Sequence, residues 1–405
     1  MEEVIAAASR ALATGAALGA LKRVALRSDP AALALRGIAM ARLGDLDRAR
    51  DLLRGASRGF GPAEPLAVAR CNLAGAEIAL VTRHLTGLPA SLAAAKRVLT
   101  ACGDRANAAH ASCLQARLAL LMGEVDAAED ALAAIDLGDM PALSLPGYWL
   151  VRAGIAMRRI QSQPALEAVR HARNAPATGA VPALEMEVLL AERAIQQPFA
   201  RRIEKSGQRL MRLAEIEALI ASDLFILDAF RNRLRQSGQV VSLAARPVLF
   251  GLARCLAEAW PDDVARQDLL ARVFRARQAD ESHRARLRVE IARLRKLIAP
   301  FAEVSATSGG FILQPHGGPP TILAPLVEGP QGQMLALLAD GEAWSSSGLA
   351  LALGVSPRTV QRGLEALYRA EKVEWFGHGR ARRWIIKGVP GFPTGMLLSL
   401  ALPEG

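Results

Sequence analysis

Six cations stand between Ser282 and Lys296 against the single acid Glu290: Arg284, Arg286, Arg288, Arg293, Arg295 and Lys296. A planar guanidinium clamps a phosphate, or reaches guanine O6 and N7 with two parallel N–H donors, and an ammonium meets phosphate as a point charge. Leu287, Ile291, Leu294 and Ile298 recur at i, i+4, i+7 and i+11. That is the spacing of one buried helical face. Arg286, Arg288, Arg293 and Lys296 then project around the rest of the helix Ser282–Ile298. The chemistry written here is recognition of a polyanion. A solvated basic helix has the same pattern, so the neighbouring elements must decide between the two.

A second cluster follows at Ser356-Pro-Arg-Thr-Val-Gln-Arg362. Ser356 suits a helix N-cap and Pro357 the first helical turn. Val360, Leu364 and Leu367 are spaced to face a core, which turns Arg358, Thr359, Gln361 and Arg362 outward. Val373 to Ile386 then reads as a strand, a Gly377-His-Gly379 turn and a second strand. Arg380, Arg382 and Arg383 fall near its tip.

The elements around the first cluster have a recognisable order. Phe225–Phe230 and Gln239–Leu243 read as short strands. Ala244–Ala257 reads as a helix with the stripe Val248, Leu252, Cys255 and Leu256, and Arg266–Phe274 as a second helix. After Ile298 comes Glu303–Leu313, a hairpin around Gly309-Gly310 that ends in Phe311. From about Leu224 to Pro315 this order resembles the OmpR/PhoB-type winged-helix family, over nearly the full length of that domain. The resemblance implies that Ser282–Ile298 enters a DNA groove and that the hairpin braces it as a wing. The chain departs from the family in two ways. Arg288 stands where its recognition helix often carries an acid. Thr307 and Ser308 stand where its wing usually has an arginine, which removes the charge that minor-groove contact needs. No receiver-type β/α pattern with a phosphorylatable aspartate lies upstream, which disfavours phosphorelay control.

Gln331 to Ile386 resembles the winged helix-turn-helix of many bacterial regulators, with Ser356–Arg362 opening its recognition helix. The resemblance implies DNA contact by Arg358, Thr359, Gln361 and Arg362, with Arg380, Arg382 and Arg383 as a basic wing. Use of this fold for dimerisation or protein contact stays open. Both patterns read as complete without any residue upstream of about Leu224. His316–Pro325, rich in Gly and Pro, breaks helix and strand patterns alike and reads as a linker.

Residues 1–222 read as helix after helix. Ala39–Leu53 and Leu118–Leu132 resemble each other: an apolar helix ends at a Gly, an acid follows, and a second helix opens with a small Ala. Gly stops the first helix through a left-handed turn. Gly44, Gly87 and Gly123 mark three copies, and a fourth pair turns near Gln161–Pro164. This resembles a degenerate tetratricopeptide-type array, although the family's aromatic positions are mostly absent. An irregular helical domain is the alternative. Either offers a large surface for a protein or a small effector.

Composition sets the outer bounds. The chain has 405 residues, half of them apolar, with few aromatics and much Ala and Leu. This predicts packed helices and several domains. The net charge of +11 is made up of +5 in 1–222, with 27 Lys and Arg against 22 acids, +7 in 223–390, with 23 against 16, and −1 from Glu404. Local clusters, not the overall balance, therefore carry the nucleic-acid argument. Cys71, Cys102, Cys113 and Cys255 form no CxxC pair, so neither zinc nor a disulfide framework is expected. Met1-Glu2-Glu3 has the wrong charge for a signal peptide, and no run of about 18 uncharged apolar residues exists.

No P-loop, dinucleotide, metallohydrolase or serine-hydrolase motif is present, and the six histidines are scattered without evident partners. A non-enzymatic protein without cofactor is expected. The overall expectation is a mainly α chain: a helical-hairpin domain at 1–222, a winged helix at 223–316, a linker at 317–328, a second winged helix at 329–390 and a tail at 391–405. Its function is expected to be sequence-specific transcriptional regulation in the bacterial cytoplasm, at the nucleoid, with double-stranded DNA as partner. The helical domain would bind an effector or a protein such as RNA polymerase; homodimerisation stays open. A replication or partition initiator with tandem winged helices, and a helical scaffold using them for protein contact, are the alternatives.

Overall fold

The computed structural model describes residues 2–81, 87–122, 124–180, 182–205, 207–274, 280–326, 330–338, 344–353, 355–379 and 382–386. It is mainly helical, with the strands confined to the C-terminal half. Contacts divide the chain into two compact units, based on Met1–Ile195 and on Gln196–Glu374.

The first unit runs through α1 (Glu2–Ala13), α2 (Ala17–Val24), α3 (Pro30–Arg42), α4 (Leu46–Phe60), α5 (Pro65–Val81) and α6 (Leu88–Ala101). It continues with α7 (Arg105–Met122), α8 (Val125–Ala133), α9 (Leu145–Arg158), α10 (Ser162–Asn174), α11 (Pro176–Ala180) and α12 (Pro182–Gln196). Consecutive helices pack on one another, α3 on α4, α7 on α8 and α9 on α10. The Gly44 turn forms as its sequence implies. Gly44 has φ +90°, a region that side chains with a Cβ avoid. Asp45 then caps α4 by accepting the Arg48 N–H at 3.1 Å. Gly87 also lies in the left-handed region, directly before α6. Gly123 is outside the described residues.

Polar groups cross this core. His110 on α7 faces the Glu77 carboxylate of α5 through Nε2 at 3.2 Å and the Ser144 hydroxyl through Nδ1 at 2.9 Å. Arg117 of α7 pairs with Glu187 of α12, both buried. The sequence reading of partnerless histidines is therefore corrected. Helix packing unites residues 33 and 34 positions apart in the chain, a relationship that spacing alone does not reveal.

The second unit begins with strands, not helices. β1 (Ala200–Glu204) and β2 (Gly207–Met211) form an antiparallel hairpin, with α13 (Leu213–Ala221) after it. Next come β3 (Ile226–Asp228), β4 (Arg233–Gln236) and β5 (Gln239–Ser242), followed by α14 (Pro247–Ala259), β6 (Val264–Ala265), α15 (Arg266–Phe274) and α16 (Glu281–Ile298). β7 (Ala302–Ala306), β8 (Gly310–Pro315) and β9 (Thr321–Ala324) complete this part. One six-stranded sheet has the order β2-β1-β9-β3-β4-β5, and a three-stranded sheet has the order β6-β8-β7.

Two sequence boundaries are corrected here. Helix does not continue to residue 222, because Phe199–Met211 pairs as a hairpin and joins the larger sheet. The stretch 317–328 is not a bare linker. Its Thr321–Ala324 is a fully buried strand, antiparallel to β1 and parallel to β3. The helix expected at Ala244 starts at Pro247, whose fixed φ suits the first turn.

Phe225 and Phe301 stack at 5.8 Å in the core of this unit. Leu252 and Leu256 of α14, Leu269 of α15, the apolar face of α16 and Ile322 of β9 close around them. The sheet, the return strand and α16 thus share one core.

The chain ends its described part with α17 (Pro330–Leu338), α18 (Ser346–Leu353), α19 (Pro357–Arg369) and a two-stranded sheet of β10 (Val373–Phe376) and β11 (Arg383–Ile386). Trp344 adds a bridge to Trp384, with backbone hydrogen bonds of 3.1 and 2.8 Å. Met334, Leu349, Val360, Leu364 and Trp384 are buried.

Candidate nucleic-acid interface

α16 is about 27 Å long at the α-helical rise. Its start is fixed by Asp280, which accepts the His283 N–H at 2.9 Å and the Ser282 hydroxyl at 2.8 Å. The backbone bond first, then the side-chain bonds from Ser282 and from the His283 ring, hold the Asp280 carboxyl well below the usual range. A carboxylate at that end also opposes the positive pole of the helix.

Leu287, Ile291, Leu294 and Ile298 are all buried, as the period requires. At 100° per residue, Arg284, Arg288 and Arg295 fall on one flank of that stripe and Arg286 and Arg293 on the other. Lys296 lies opposite the stripe with Ala285, Val289 and Ala292. The face directed at solvent therefore carries two alanines, Val289 and Lys296 along its midline, with arginines at both edges. Val289 is 48% exposed there, a branched apolar side chain on a face otherwise edged with charge.

The cations are placed differently in detail. Arg284 and Arg288 reach Glu281 at 3.6 and 3.4 Å, and Arg293 reaches Glu290 at 2.8 Å. The two pairs to the exposed Glu281 are worth only about 0–1 kcal/mol, so a phosphate replaces them at little cost, whereas Glu290 is largely buried. Arg286 lies over the Phe274 ring at 5.2 Å. Arg295 donates Nε–H to the Val304 carbonyl at 2.6 Å and ties α16 to β7. Arg246, Arg293 and Lys296 line a cleft of about 580 Å³ at the amino end of α14, where Glu290 is the only acid among the lining residues.

The hairpin after α16 is anchored. Arg266 donates to the carbonyls of Ser308 at 3.1 Å and Thr307 at 3.0 Å, and its guanidinium covers the Phe311 ring at 5.3 Å. The Thr307 hydroxyl donates to Asp263. This tip is committed to the α14–α15 connection, in keeping with its lack of a charged side chain.

Around α19 the sequence-selected residues separate. Ser356 caps the helix by accepting the Thr359 N–H at 3.1 Å. Arg358, Gln361 and Arg362 are exposed beside the cap. Thr359 is half-buried, with its hydroxyl 2.9 Å from that of Ser356. Its hydroxyl therefore lies at the cap, beside the exposed Arg358 and Arg362. Two of the cations expected on the wing are packed against their own hairpin. Arg382 is half-buried and stacks its guanidinium over Trp375 at 4.2 Å. Arg383 is half-buried and donates to the Arg382 carbonyl at 3.1 Å. Arg380 lies outside the described residues. Aromatic Trp375 supplies the reason: a guanidinium gains more on an indole face than fully in water.

Other chemistry is less developed. Glu77, His110 and Ser144 have the order of an acid, a base and a hydroxyl, yet each is at most 2% exposed. Burial pushes the Cys71 thiol up to about 11 and the Cys113 thiol up to about 12. Thiols so placed are poor nucleophiles. Among the described residues no group of three or more His, Cys, Asp or Glu is placed to hold a metal ion. No described helix is long and apolar enough to cross a membrane.

No family model matches the chain, and no curated protein or solved structure matches it.

Proposed function

We propose that this chain is a sequence-specific DNA-binding regulator of transcription. In this reading, residues from β3 to β8 are a winged helix of the OmpR/PhoB type, with α16 as its recognition helix, and α17 to β11 are a second winged helix-turn-helix. The observation that carries the reading is α16 itself: a buried stripe on one side, five exposed arginines flanking the outer face and Lys296 on its midline. A helix with that face fits the B-DNA major groove, about 12 Å wide, where arginine at the edges meets phosphate or guanine. Arg284, Arg286, Arg288, Arg293 and Lys296 are its contacts, with Arg358, Gln361 and Arg362 on α19. The helical unit, with its tetratricopeptide-like pairing, receives an effector or partner and passes the signal to the DNA-binding half.

Selection from a random duplex library tests this. Enrichment of one motif, lost in Arg288→Ala, supports the reading. Recovery of no motif by protein that is folded and monodisperse contradicts it.

A further inference from the structure

Between α4, α5 and α6 lies a cleft of about 840 Å³, within the size range of sites that take ligands. α4 lines it with Arg50, Arg54 and Arg58. These residues are four apart, so they form one ridge with steps of roughly 6 Å and a reach of about 12 Å. Asp51 is the only acid among the lining residues. α5 supplies a floor of small side chains at Gly75, Ala76 and Ala79, and α6 supplies Leu88 and Ser91 on the far side.

Gly75 shows that the floor is open. A glycine inside a helix is disfavoured relative to alanine. Close packing commonly accounts for one, yet a Cβ added at Gly75 meets nothing within 4 Å. Its effect here is to leave room above α5.

The arginines hold only weak partners of their own. Arg54 is 3.8 Å from Asp51, with both side chains 65% exposed. Arg58 donates to the Arg54 carbonyl at 3.4 Å. Arg50 reaches the exposed Asp47, and its Nε is buried without a hydrogen-bond partner. Exposed pairs of this kind yield readily to a better-placed anion.

The step along the ridge matches one class of ligand. In an extended chain, alternate side chains lie on the same side, about 6.6 Å apart. Carboxylates at every second residue would therefore meet Arg50, Arg54 and Arg58 in turn. The intervening side chains would face Leu88 and Ser91.

We propose that this cleft receives an extended acidic segment of a partner protein, with carboxylates at alternate positions. The proposal rests on the reading of the helical unit as a partner-binding surface and gives that partner its chemistry.

The test is fluorescence anisotropy on the full chain with a fluorescein-labelled peptide Ser-Glu-Leu-Glu-Leu-Glu-Ser. Saturable binding is expected, several-fold weaker when the three Glu are contiguous and absent when they are Lys. Arg54→Ala with Arg58→Ala should weaken binding by about tenfold or more. Gly75→Leu, which fills the floor, should do the same without changing helicity, and Asp51→Asn should tighten binding. Unchanged affinity in the arginine variant, equal binding of the Lys peptide or no saturable binding would each overturn the proposal. Displacement of the peptide by equimolar succinate would overturn it too, in favour of a small-molecule site. DNA binding measured on the same preparations separates this result from the DNA reading, since none of these residues lies on α16 or α19.

Discussion

Gly310 lies so close to Val264 that a Cβ on it would stand 1.8 Å from the Val264 carbonyl oxygen. The cause is the pairing of β6 with β8, which sets Val264 opposite Phe311 and Ala265 opposite Gly310. Neighbouring Gly309 has no such constraint, its nearest neighbour to an added Cβ being the Asp263 carboxylate at 3.4 Å. The Gly-Gly pair thus divides into one residue that permits the sheet and one that completes the turn.

Gly310→Ala should therefore destabilise the C-terminal unit by roughly 2–3 kcal/mol or more, the range of a forced backbone shift. Gly309→Ala should cost less than about 1 kcal/mol. Urea unfolding of the two variants checks this. Equal costs would mean that β6 does not hold β8 at this point.

Arg117 and Glu187 are buried against each other, and burial pushes the Glu187 carboxyl up despite the opposing pull of Arg117. Removal of one partner leaves a buried charge or forces it to neutralise. Arg117→Met should cost about 3–5 kcal/mol, whereas Arg117→Met with Glu187→Met should recover most of that loss. Thermal unfolding of the single and double variants decides. A double variant as damaged as the single one would count against the pair as the cause.

Asp280 gives a pH dependence of definite sign. Its folded carboxyl is held below the ordinary value, first by the His283 N–H. The stability it contributes is thus present above the unfolded pKa, about 4, and is lost as the pH falls through the lower folded value. Asp280→Asn should remove this part of the acid sensitivity and leave neutral-pH helicity nearly intact, since Asn also caps. Urea midpoints from pH 6 to pH 3 for both proteins test it; parallel curves would contradict the assignment.

The sheet order predicts where the chain can be cut. β9 sits between β1 and β3, so a fragment that starts at residue 223 loses β1 and β2 and bares one edge of β9. A fragment starting at residue 197 keeps the whole sheet. The longer fragment should unfold cooperatively, and the shorter one should aggregate or bind a hydrophobic dye. Equal behaviour would show that the β1–β2 hairpin is dispensable.

Such boundaries mark what the sequence conceals. α16 was legible because four buried positions at helical spacing stand out against arginine. The Ser356 cap was legible because Ser-Pro is a local signal. β9 was not, because a four-residue strand with only three apolar residues has no measurable period and lies between Gly-Gly-Pro-Pro and Pro325. The hairpin Ala200–Met211 was hidden by Arg, Glu, Lys, Gln and Leu, residues that suit helices, and its pairing with β9 spans more than a hundred residues. The charge of Arg382 and its position near a turn suggest an exposed contact. Only the three-dimensional structure places Trp375 beneath it and Arg295 against the Val304 carbonyl.

These placements separate two sets of cations. Arg295→Ala should lower stability by about 1 kcal/mol through the lost Val304 bond while leaving the DNA motif unchanged once folding is corrected for. Arg288→Ala should leave the urea midpoint nearly unchanged, because its partner Glu281 is exposed. A stability loss in Arg288→Ala equal to that in Arg295→Ala would show that the two flanking arginines are not divided in this way.

The most direct test of the central claim is the salt dependence of full-length protein on its selected duplex. With about six phosphates contacted, log K should fall against log salt with a slope of roughly −5. Arg288→Ala should cost about 1–3 kcal/mol on that duplex alone if it reads a base edge, and Lys296→Ala should weaken all duplexes and flatten the slope by about one. A flat salt response, or variants indistinguishable from the parent on specific and random DNA, would contradict the account.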